Sequence, residues 1–371
     1  MDKDSSGSYL GILMAVVDVS SHNWSRYGCV ELAIGVRWPR LGTRLTRGVP
    51  PHMGTLLVAT IMLLAACDGS GGNSGGSGSG RDSGSEQVAD VDFRPEVGKP
   101  RWPTGVGPRI AIDEAHSNFH TAEGRFGPFT ELARRDGFVV QSNRSAFDAA
   151  ALANIDIVVI ANAVNERNVD DWSLPTPSAF TRQEVEAMRQ WVEEGGKLLL
   201  IVDHMPFSGA AAELGGAFGI EFNNGFAFGT QDGGEIIFEA ASGGLGEHPI
   251  VHGGDSDQRV DHVMSFVGTA FTVRAGTTHS PLLVLPAGTQ LLLPEVAWEF
   301  SEQTERRDAS GMLQGAALEV GRGRVAVVGE AGMFTAQVRG QDRQPVGLNH
   351  PKASDNARFV LNVLHWLAGI L

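Results

Sequence analysis

The stretch EEGGKLLLIVDH, residues 193–204, decides the fold. A capping box, Thr181-x-x-Glu184, begins a helix before it, and the adjacent glycines Gly195 and Gly196 end that helix. The apolar run that follows is typical of a strand buried on both faces. A helix that leads directly into such a strand predicts one unit of a parallel sheet.

The same alternation extends in both directions along the chain. Apolar, β-branched runs predict further strands, and 3.6-residue spacing of apolar side chains predicts further helices. The predicted strands are 108–113, 138–141, 155–162 and a hairpin of 316–320 with 324–329; the predicted helices are 126–136 and 355–371. This order predicts an α/β fold with a doubly wound, mostly parallel sheet.

The segment 220–300 differs from the rest of the body, residues 105–371. It is rich in glycine and has short β-like runs without helical spacing. We expect it to be a β-rich insertion in one large α/β domain or an antiparallel extension of the sheet. Its histidines, in EHPIVHG (247–253) and at 262, are typical of loops and turns.

The N-terminal region has the pattern of an export signal. Residues 53–66, MGTLLVATIMLLAA, carry no charge and follow an arginine-containing lead-in, but they are shorter than a membrane-spanning helix requires. They end in LAAC (64–67), which resembles the lipobox of bacterial lipoproteins and implies lipidation of Cys67. An ordinary signal peptide that contains a cysteine is the alternative. A Gly/Ser-rich tether, 68–104, follows this 53–67 signal, and we interpret 1–52 as a mis-assigned N-terminal extension.

This interpretation limits both the location of the chain and its chemistry. A lipid anchor predicts a bacterial cell envelope protein, periplasmic or extracytoplasmic, whose partner is the membrane. The net charge of -14 argues against nucleic acid. The only two cysteines, Cys29 and Cys67, exclude a disulfide framework and a CxxC metal site. If Cys29 lies outside the mature chain and Cys67 carries lipid, no thiol remains to act as a nucleophile.

Polar side chains accumulate where each predicted strand ends. Ligands of open parallel sheets bind outside the carboxyl ends of the strands, so we expect one polar pocket there. Individually, these residues are also typical of helix caps and turns. The predicted catalytic residues are Asp113, His116, Asp203, His204 and Glu330, and the predicted ligand-binding residues are Glu114, Asn118, His120, Asn162 and Asn165.

A metal is the open question for this pocket. His116 and His120 are four residues apart, which on a helix places both rings on one face, and Asp113 or Asp203 would complete a tetrahedral zinc site. The candidate ligands are therefore His116, His120 and Asp203. The spacing is not H-E-x-x-H, so we expect no resident cofactor and leave a divalent metal as the alternative.

Residues 193–204, followed by SGAAAELGGAFG (208–219), look like the fourth strand and nucleophile elbow of class I glutamine amidotransferase-like, flavodoxin-like domains. HPIVHG (248–253) is similar to relatives without amidotransferase activity, namely trehalose-utilisation-type domains and those of gliding-motility and intraflagellar-transport proteins. DEAHSNFHT (113–121), NERNVDDWSLPTPSAFT (165–181), DHMPFSGAA (203–211) and GEAGMFTAQ (329–337) resemble an uncharacterised bacterial family with this fold. The resemblance covers residues 108–370.

The chain departs from amidotransferases where the nucleophile belongs. The elbow reads Asp203-His204-Met205 and has no cysteine, so glutamine hydrolysis by a Cys-His-Glu triad is excluded. Two functions remain open. One is a binding module for a small molecule or glycan, with carbohydrate the class that the relatives imply. The other is a hydrolase in which Asp203 or Asp113 is the base, His204 or His116 its partner, and Glu330 a second carboxylate.

Overall fold

A computed structural model describes residues 87–371 except Asp232. The predicted extension 1–52, the signal segment 53–67 with Cys67, and the tether up to residue 86 lie outside these residues. Within the described range, no helix has both the length and the apolar character needed to cross a bilayer.

The described residues form seventeen strands and six α-helices. The strands are β1 Gln87–Ala89, β2 Arg109–Asp113, β3 Val139–Asn143, β4 Ile157–Ala161, β5 Lys197–Ile201, β6 Ile220–Phe222, β7 Phe226–Phe228, β8 Ile236–Glu239, β9 His262–Ser265, β10 Phe271–Val273, β11 Ser280–Val284, β12 Gln290–Leu293, β13 Glu305–Asp308, β14 Leu313–Val320, β15 Gly323–Val328, β16 Ala336–Arg339 and β17 Gln344–Gly347. The helices are α1 Gly127–Arg135, α2 Arg182–Glu193, α3 Phe207–Ala210, α4 Ala212–Ala217, α5 Pro249–His252 and α6 Asn356–Leu367.

A mixed nine-stranded sheet organises this α/β structure. Its order is β3-β2-β4-β5-β15-β14-β10-β6, with β11 paired to β14. The first five strands are parallel to one another, and the other four are antiparallel to their neighbours. Strands β6, β10 and β11 come from the 220–300 segment. The segment thus extends the sheet with antiparallel strands, which is one of the two alternatives that the sequence leaves open for it.

Both faces of the parallel strands are buried. Alternate residues such as Ile110 and Ile112 pack with α1 and α6, while Val158 and Ile160 pack on the opposite face with α2 and α4. Each such fully buried side chain contributes about 1.5–3 kcal/mol. The predicted closing helix ends earlier than expected, because Gly369 adopts a φ of 78° and the N–H groups of Gly369 and Ile370 bond back to helix carbonyls.

The order of the strands places four chain segments side by side. Asp113 is the last residue of β2, Asn162 directly follows β4, and Asp203 and Glu330 lie two residues beyond β5 and β15. Strands β2, β4, β5 and β15 are consecutive in the sheet, at the ~4.8 Å spacing of neighbouring strands. The sheet therefore brings these polar residues to one edge.

Candidate functional site

Asn162 joins the ends of β4 and β5. Its backbone has a φ of 52°, a left-handed conformation that asparagine tolerates better than most residues. Its Oδ1 accepts a hydrogen bond from the N–H of Asp203 at 2.9 Å. The Nδ2 group is buried and has no protein partner among the described residues. A buried amide donor without a partner is costly, and it marks a position where a ligand oxygen would be favourable.

Asp203 and Glu330 form a buried carboxyl pair beside Asn162. The Glu330 carboxylate accepts the N–H groups of Gly332 at 2.5 Å and Met333 at 2.7 Å. Burial raises the pKa of Asp203; burial and the charge of Asp203 raise the pKa of Glu330 well above its ordinary value. Two carboxylates in so little water repel each other, so the pair retains a proton to a higher pH than an isolated carboxyl would.

Glycine is required at two positions around this pair. A Cβ at Gly332 would lie 2.5 Å from Oε1 of Glu330, and a Cβ at Gly268 would lie 2.0 Å from the carbonyl oxygen of Gly329 and 2.7 Å from the Cβ of Glu330. All three distances are shorter than a van der Waals contact. The glycines therefore allow the backbone to enclose the Glu330 carboxylate.

His204 places a ring nitrogen beside the carboxyl pair. Its Nδ1 donates to the carbonyl oxygen of Met205 at 2.7 Å, and because a carbonyl only accepts, the proton of the neutral ring lies on Nδ1. The lone pair is then on Nε2, which lies 4.0 Å from Oδ1 of Asp203. The ring stacks on Phe226 at 4.3 Å and meets the edge of Trp298 at 4.8 Å. His204 is thereby held rigidly with Nε2 available.

His120 adds a second imidazole to this region. Burial, together with repulsion from Arg125 and from His204 when its ring is protonated, lowers the pKa of His120 to about 3, so the His120 ring is neutral at physiological pH. Its Nδ1 is buried and has no partner among the described residues. We call Asn162, Asp203, His204, Glu330 and His120 the Asp203 cluster.

Aromatic side chains surround the Asp203 cluster. Trp298 is 50% exposed and has a φ of 67°, a strained conformation for a bulky residue. Phe119 is 38% exposed and its ring centre lies 5.6 Å from that of Trp172, which in turn lies 5.3 Å from that of Phe207. We call Phe119, Trp172, Phe207 and Trp298 the aromatic shelf. Exposed aromatic groups next to unpartnered polar atoms are typical of a ligand site.

A second polar cluster lies at the end of β2. Nδ1 of His116 donates to Asp113 at 2.9 Å and Nε2 donates to Glu184 at 2.8 Å. Burial lowers the pKa of His116, but the hydrogen bonds and charges of the two carboxylates outweigh burial and raise it. The rings of Phe147 and Phe180 lie 4.9 and 4.6 Å from the imidazole. In this His116 cluster of Asp113, His116 and Glu184, both ring nitrogens are occupied.

The sequence does not predict the hydrogen bond between Glu184 and His116. Glu184 is the third residue of α2, where it accepts the backbone N–H and the hydroxyl of Thr181 at 2.9 and 2.7 Å. The predicted capping box is therefore present. The capping pattern accounts for only one of its two carboxylate oxygens, and nothing in the sequence relates the other to a histidine 68 residues earlier.

The other predicted ligand-binding residues hold loops together. Glu114 accepts the N–H of Ala122, the hydroxyl of Ser142 and the Nε of Arg144. Asn118 accepts the N–H of His116 at 3.1 Å. Asn165 accepts the N–H of Arg167 and donates to the carbonyl of Ser178. The structure therefore brings Asn162, Asp203, His204, Glu330 and His120 together and places Asp113, His116, Glu114, Asn118 and Asn165 in other contacts.

The predicted pairing of His116 with His120 on a helix face is wrong. Residues 114–120 form no helix, because the chain there follows the hydrogen bonds of Glu114, His116 and Asn118 instead. The two rings consequently belong to different clusters. Among residues 87–371, leaving aside Asp232, no group of three or more His, Cys, Asp or Glu side chains is arranged to hold a metal.

Several solved structures are similar to this chain. The N-terminal domain of mmIFT52 has a TM-score of 0.49 at 14% identity, over 70% of this chain and 97% of that domain. A ThuA-like protein from Bacteroides uniformis has a TM-score of 0.41 at 12% identity, over 74% and 94%. Another from Parabacteroides merdae has a TM-score of 0.37 at 10% identity, over 70% and 89%. No family model matches the chain, and a search of curated proteins gives no match. Both classes of relative named in the sequence resemblance are therefore among the solved structures.

Proposed function

We propose that the chain is a lipid-anchored envelope protein whose α/β domain binds a small, uncharged, hydroxyl-rich ligand, a carbohydrate. The ligand lies between the aromatic shelf and the Asp203 cluster. The scaffold is a doubly wound, class I glutamine amidotransferase-like domain that lacks glutamine amidotransferase activity. The observation that carries the proposal is the position of two exposed aromatic rings beside the Asp203 cluster, with Trp298 4.8 Å from the ring of His204 and Phe119 5.4 Å from the ring of His120.

The two halves of the site match the two chemical faces of a sugar. The rings of Trp298 and Phe119 offer flat apolar surface for the C–H face of a pyranose, as in most small-molecule sites. The Nδ2 group of Asn162 and the ring nitrogens of His120 and His204 offer donors and acceptors for hydroxyl groups. Since His120 is held neutral, it binds hydroxyls without requiring a charged ligand.

The absence of amidotransferase activity follows from the elbow. The turn after β5 presents Asp203 and His204 where that reaction needs a cysteine, and residues 87–371 contain no cysteine. A carboxylate hydrogen-bonded to the N–H of its neighbour does not replace a thiolate nucleophile.

Calorimetric titration of the full chain with neutral mono- and disaccharides tests the binding proposal. We expect Trp298→Ala to weaken the binding of at least one sugar tenfold or more, because the shelf loses its most exposed ring. Val106→Ala is the control, since Val106 is also exposed but is not part of the shelf or the Asp203 cluster. No binding of any sugar by the unmodified chain, or equal binding by Trp298→Ala, would refute the proposal.

Membrane fractionation tests the anchor. Cys67→Ala should move the protein from the membrane to the soluble fraction, whereas Cys29→Ala, in the predicted extension, should change nothing. Retention of Cys67→Ala on the membrane would exclude lipidation of Cys67 as the anchor.

A further inference from the structure

We propose that two joined loop segments beside the aromatic shelf form a docking surface for a basic polypeptide segment that carries apolar side chains. The two segments are 166–174 and 295–302, and we call them the acidic rim. This inference goes beyond the proposed function, because the proposed ligand of the shelf is a sugar, whereas the partner of the acidic rim is a polypeptide.

Backbone hydrogen bonds hold the two segments of the acidic rim together. The N–H of Leu174 donates to the carbonyl oxygen of Glu295 at 2.8 Å, and the N–H of Ala297 donates to that of Trp172 at 3.0 Å. An isolated β-bridge of one residue pair adds to these bonds. The rim is therefore one continuous surface that is already ordered before a partner binds, which lowers the entropic cost of binding.

The acidic rim exposes large apolar side chains. Eight such side chains are exposed in the described part of the chain, and half of them lie on the rim: Val169, Leu174, Trp298 and Phe300. The ring centre of Phe300 lies 6.4 Å from that of Trp298. Exposed apolar groups that are concentrated in one place and surrounded by polar residues are typical of protein interaction sites. Aromatic residues supply much of the binding energy at such sites.

The charges of the acidic rim are almost all negative. The rim has six exposed carboxylates and one basic residue, Arg167. The Arg167 guanidinium is occupied within the rim, since it pairs with Asp171 at 3.6 Å and donates to the carbonyl oxygens of Ser173 and Leu174. Strand β13, which follows the rim, has two acidic and two basic residues and adds no net charge. The six carboxylates are those of Glu166, Asp170, Asp171, Glu295, Glu299 and Glu302. The partner that complements this surface is therefore basic.

The aromatic shelf already contains a contact of the kind that a basic partner would make. The guanidinium of Arg125 lies 4.2 Å from the ring centre of Phe119, where the face of the ring attracts the cation. The indole of Trp298 attracts a cation more strongly than a phenyl ring does, and it is half exposed. A partner arginine would lie over Trp298 among the rim carboxylates, while neighbouring apolar side chains of the partner pack on Leu174 and Phe300.

Two other occupants match the charge of the acidic rim less well. Anionic lipid headgroups are repelled by its carboxylates. A second copy of the chain that docked through the same surface would place the carboxylates of one rim opposite those of the other. A basic polypeptide is the occupant whose charge is opposite to that of the rim.

Calorimetric titration of the full chain with three short synthetic peptides tests the inference. The first peptide alternates arginine with leucine, the second has glutamate in place of arginine, and the third has serine in place of leucine. We expect the arginine–leucine peptide to bind and the glutamate peptide not to bind. The serine peptide should bind about tenfold more weakly, because it cannot pack on the apolar side chains of the rim.

A substitution of one aromatic side chain tests the apolar part of the surface. Phe300→Ala should weaken the binding of the arginine–leucine peptide about tenfold, because the peptide loses a ring to pack against. Val106→Ala is the control, since Val106 is an exposed apolar side chain outside the rim. Equal affinities of these two variants would overturn the proposal.

A pair of substitutions tests the charges. The double variant Glu299→Gln and Glu302→Gln should weaken the binding of the same peptide about fivefold. The matched control is Glu194→Gln with Glu319→Gln, which removes two exposed carboxylates at the end of the sheet where β5 and β15 begin. Its affinity should stay within about twofold of the unmodified chain. Equal weakening in both double variants would show that net charge alone attracts the peptide, and it would overturn the proposal.

Sedimentation tests the other two occupants. Vesicles of phosphatidylglycerol and phosphatidylcholine that bind the unmodified chain but not Phe300→Ala would identify the rim as a lipid-binding surface. Self-association that Phe300→Ala abolishes would identify a second copy as the occupant. Either result, or no binding of the arginine–leucine peptide, would overturn the inference.

The two proposals can fail separately. The Glu299→Gln and Glu302→Gln variant should bind sugars as the unmodified chain does, because neither residue belongs to the aromatic shelf or the Asp203 cluster. Sugar binding without peptide binding overturns this inference alone, and peptide binding without sugar binding refutes the proposed function alone. Circular dichroism confirms that each variant is folded before it is assayed.

Discussion

Two histidines four residues apart, His116 and His120, have opposite environments. His116 donates from both ring nitrogens to carboxylates, and its pKa is raised although burial opposes this. His120 is more deeply buried and has no partner on Nδ1, and burial together with the nearby Arg125 lowers its pKa to about 3. Burial disfavours the charged form of both imidazoles, and only at His116 do neighbouring carboxylates outweigh it.

The two regions also differ in whether their buried polar atoms have hydrogen-bond partners. The His116 cluster has no hydrogen-bonding capacity left on its imidazole, whereas Asn162 and His120 retain unused buried groups. The loop between the two clusters is fixed at both ends: the His116 carbonyl accepts the N–H of Val164, and the Phe119 N–H donates to the Asn162 carbonyl. We infer that the His116 cluster holds Phe119 and His120 in place for the proposed ligand.

The largest expected effect is on stability, from His116→Ala. The substitution leaves the buried carboxylates of Asp113 and Glu184 without their shared cation, which costs about 3–5 kcal/mol of the free energy of unfolding. Urea denaturation at pH 6 measures the loss. His279→Ala is the control, because that ring is exposed and should contribute less than about 0.5 kcal/mol. Equal losses in the two variants would show that the His116 cluster stabilises nothing.

The stability difference between the unmodified chain and His116→Ala should also depend on pH. The folded-state pKa of His116 lies above its ordinary 6.5, so its contribution is complete below that pH and is lost as the pH rises through the raised pKa. The pKa of Glu184 is lowered from 4.5 to about 2, so its contribution is complete above 4.5 and is lost as the pH falls toward 2. The free energy difference between the unmodified chain and His116→Ala should therefore be largest from about pH 4.5 to 6.5. A difference that grows above pH 7 would contradict the assignment.

The sequence predicts the strands and helices of this fold better than it predicts which side chains contact one another. The run 197–203, the capping box and the hairpin are local patterns, and β5, α2 and the β14–β15 pair are confirmed. The convergence of Asn162, Asp203 and Glu330 follows from strand order. By contrast, the link between His116 and Glu184 depends on tertiary packing, which no spacing encodes.

The aromatic shelf cannot be predicted from the sequence either, because it too depends on tertiary packing. Its members come from four separate loops or helix starts, and Trp298 and Trp172 are brought together by pairing of Ser173 with Val296. That pairing is an isolated bridge between two irregular segments. Alternation and helical spacing give no signal for it.

The smallest expected effect is from Arg144→Gln, and it decides which of the two regions binds the ligand. Arg144 lines a cleft of about 370 Å³ beside His116 and Glu184, and its side chain, 75% exposed, pairs with Glu114 at 3.0 Å. An exposed pair contributes about 0–1 kcal/mol, and Glu114 keeps its bonds to Ala122 and Ser142, so stability should hardly change.

Although Arg144→Gln should hardly change the stability, its affinity for sugar shows which of the two regions binds the ligand. If the ligand lies on the aromatic shelf, the dissociation constant of Arg144→Gln should stay within twofold of the unmodified chain, as should that of Arg274→Gln, a matched exposed arginine paired with Glu221. If the sugar instead occupies the cleft beside His116, removal of the Arg144 charge and donors weakens binding while Arg274→Gln does not. Calorimetric titration of both variants distinguishes these results, because a structural His116 cluster predicts no loss in either.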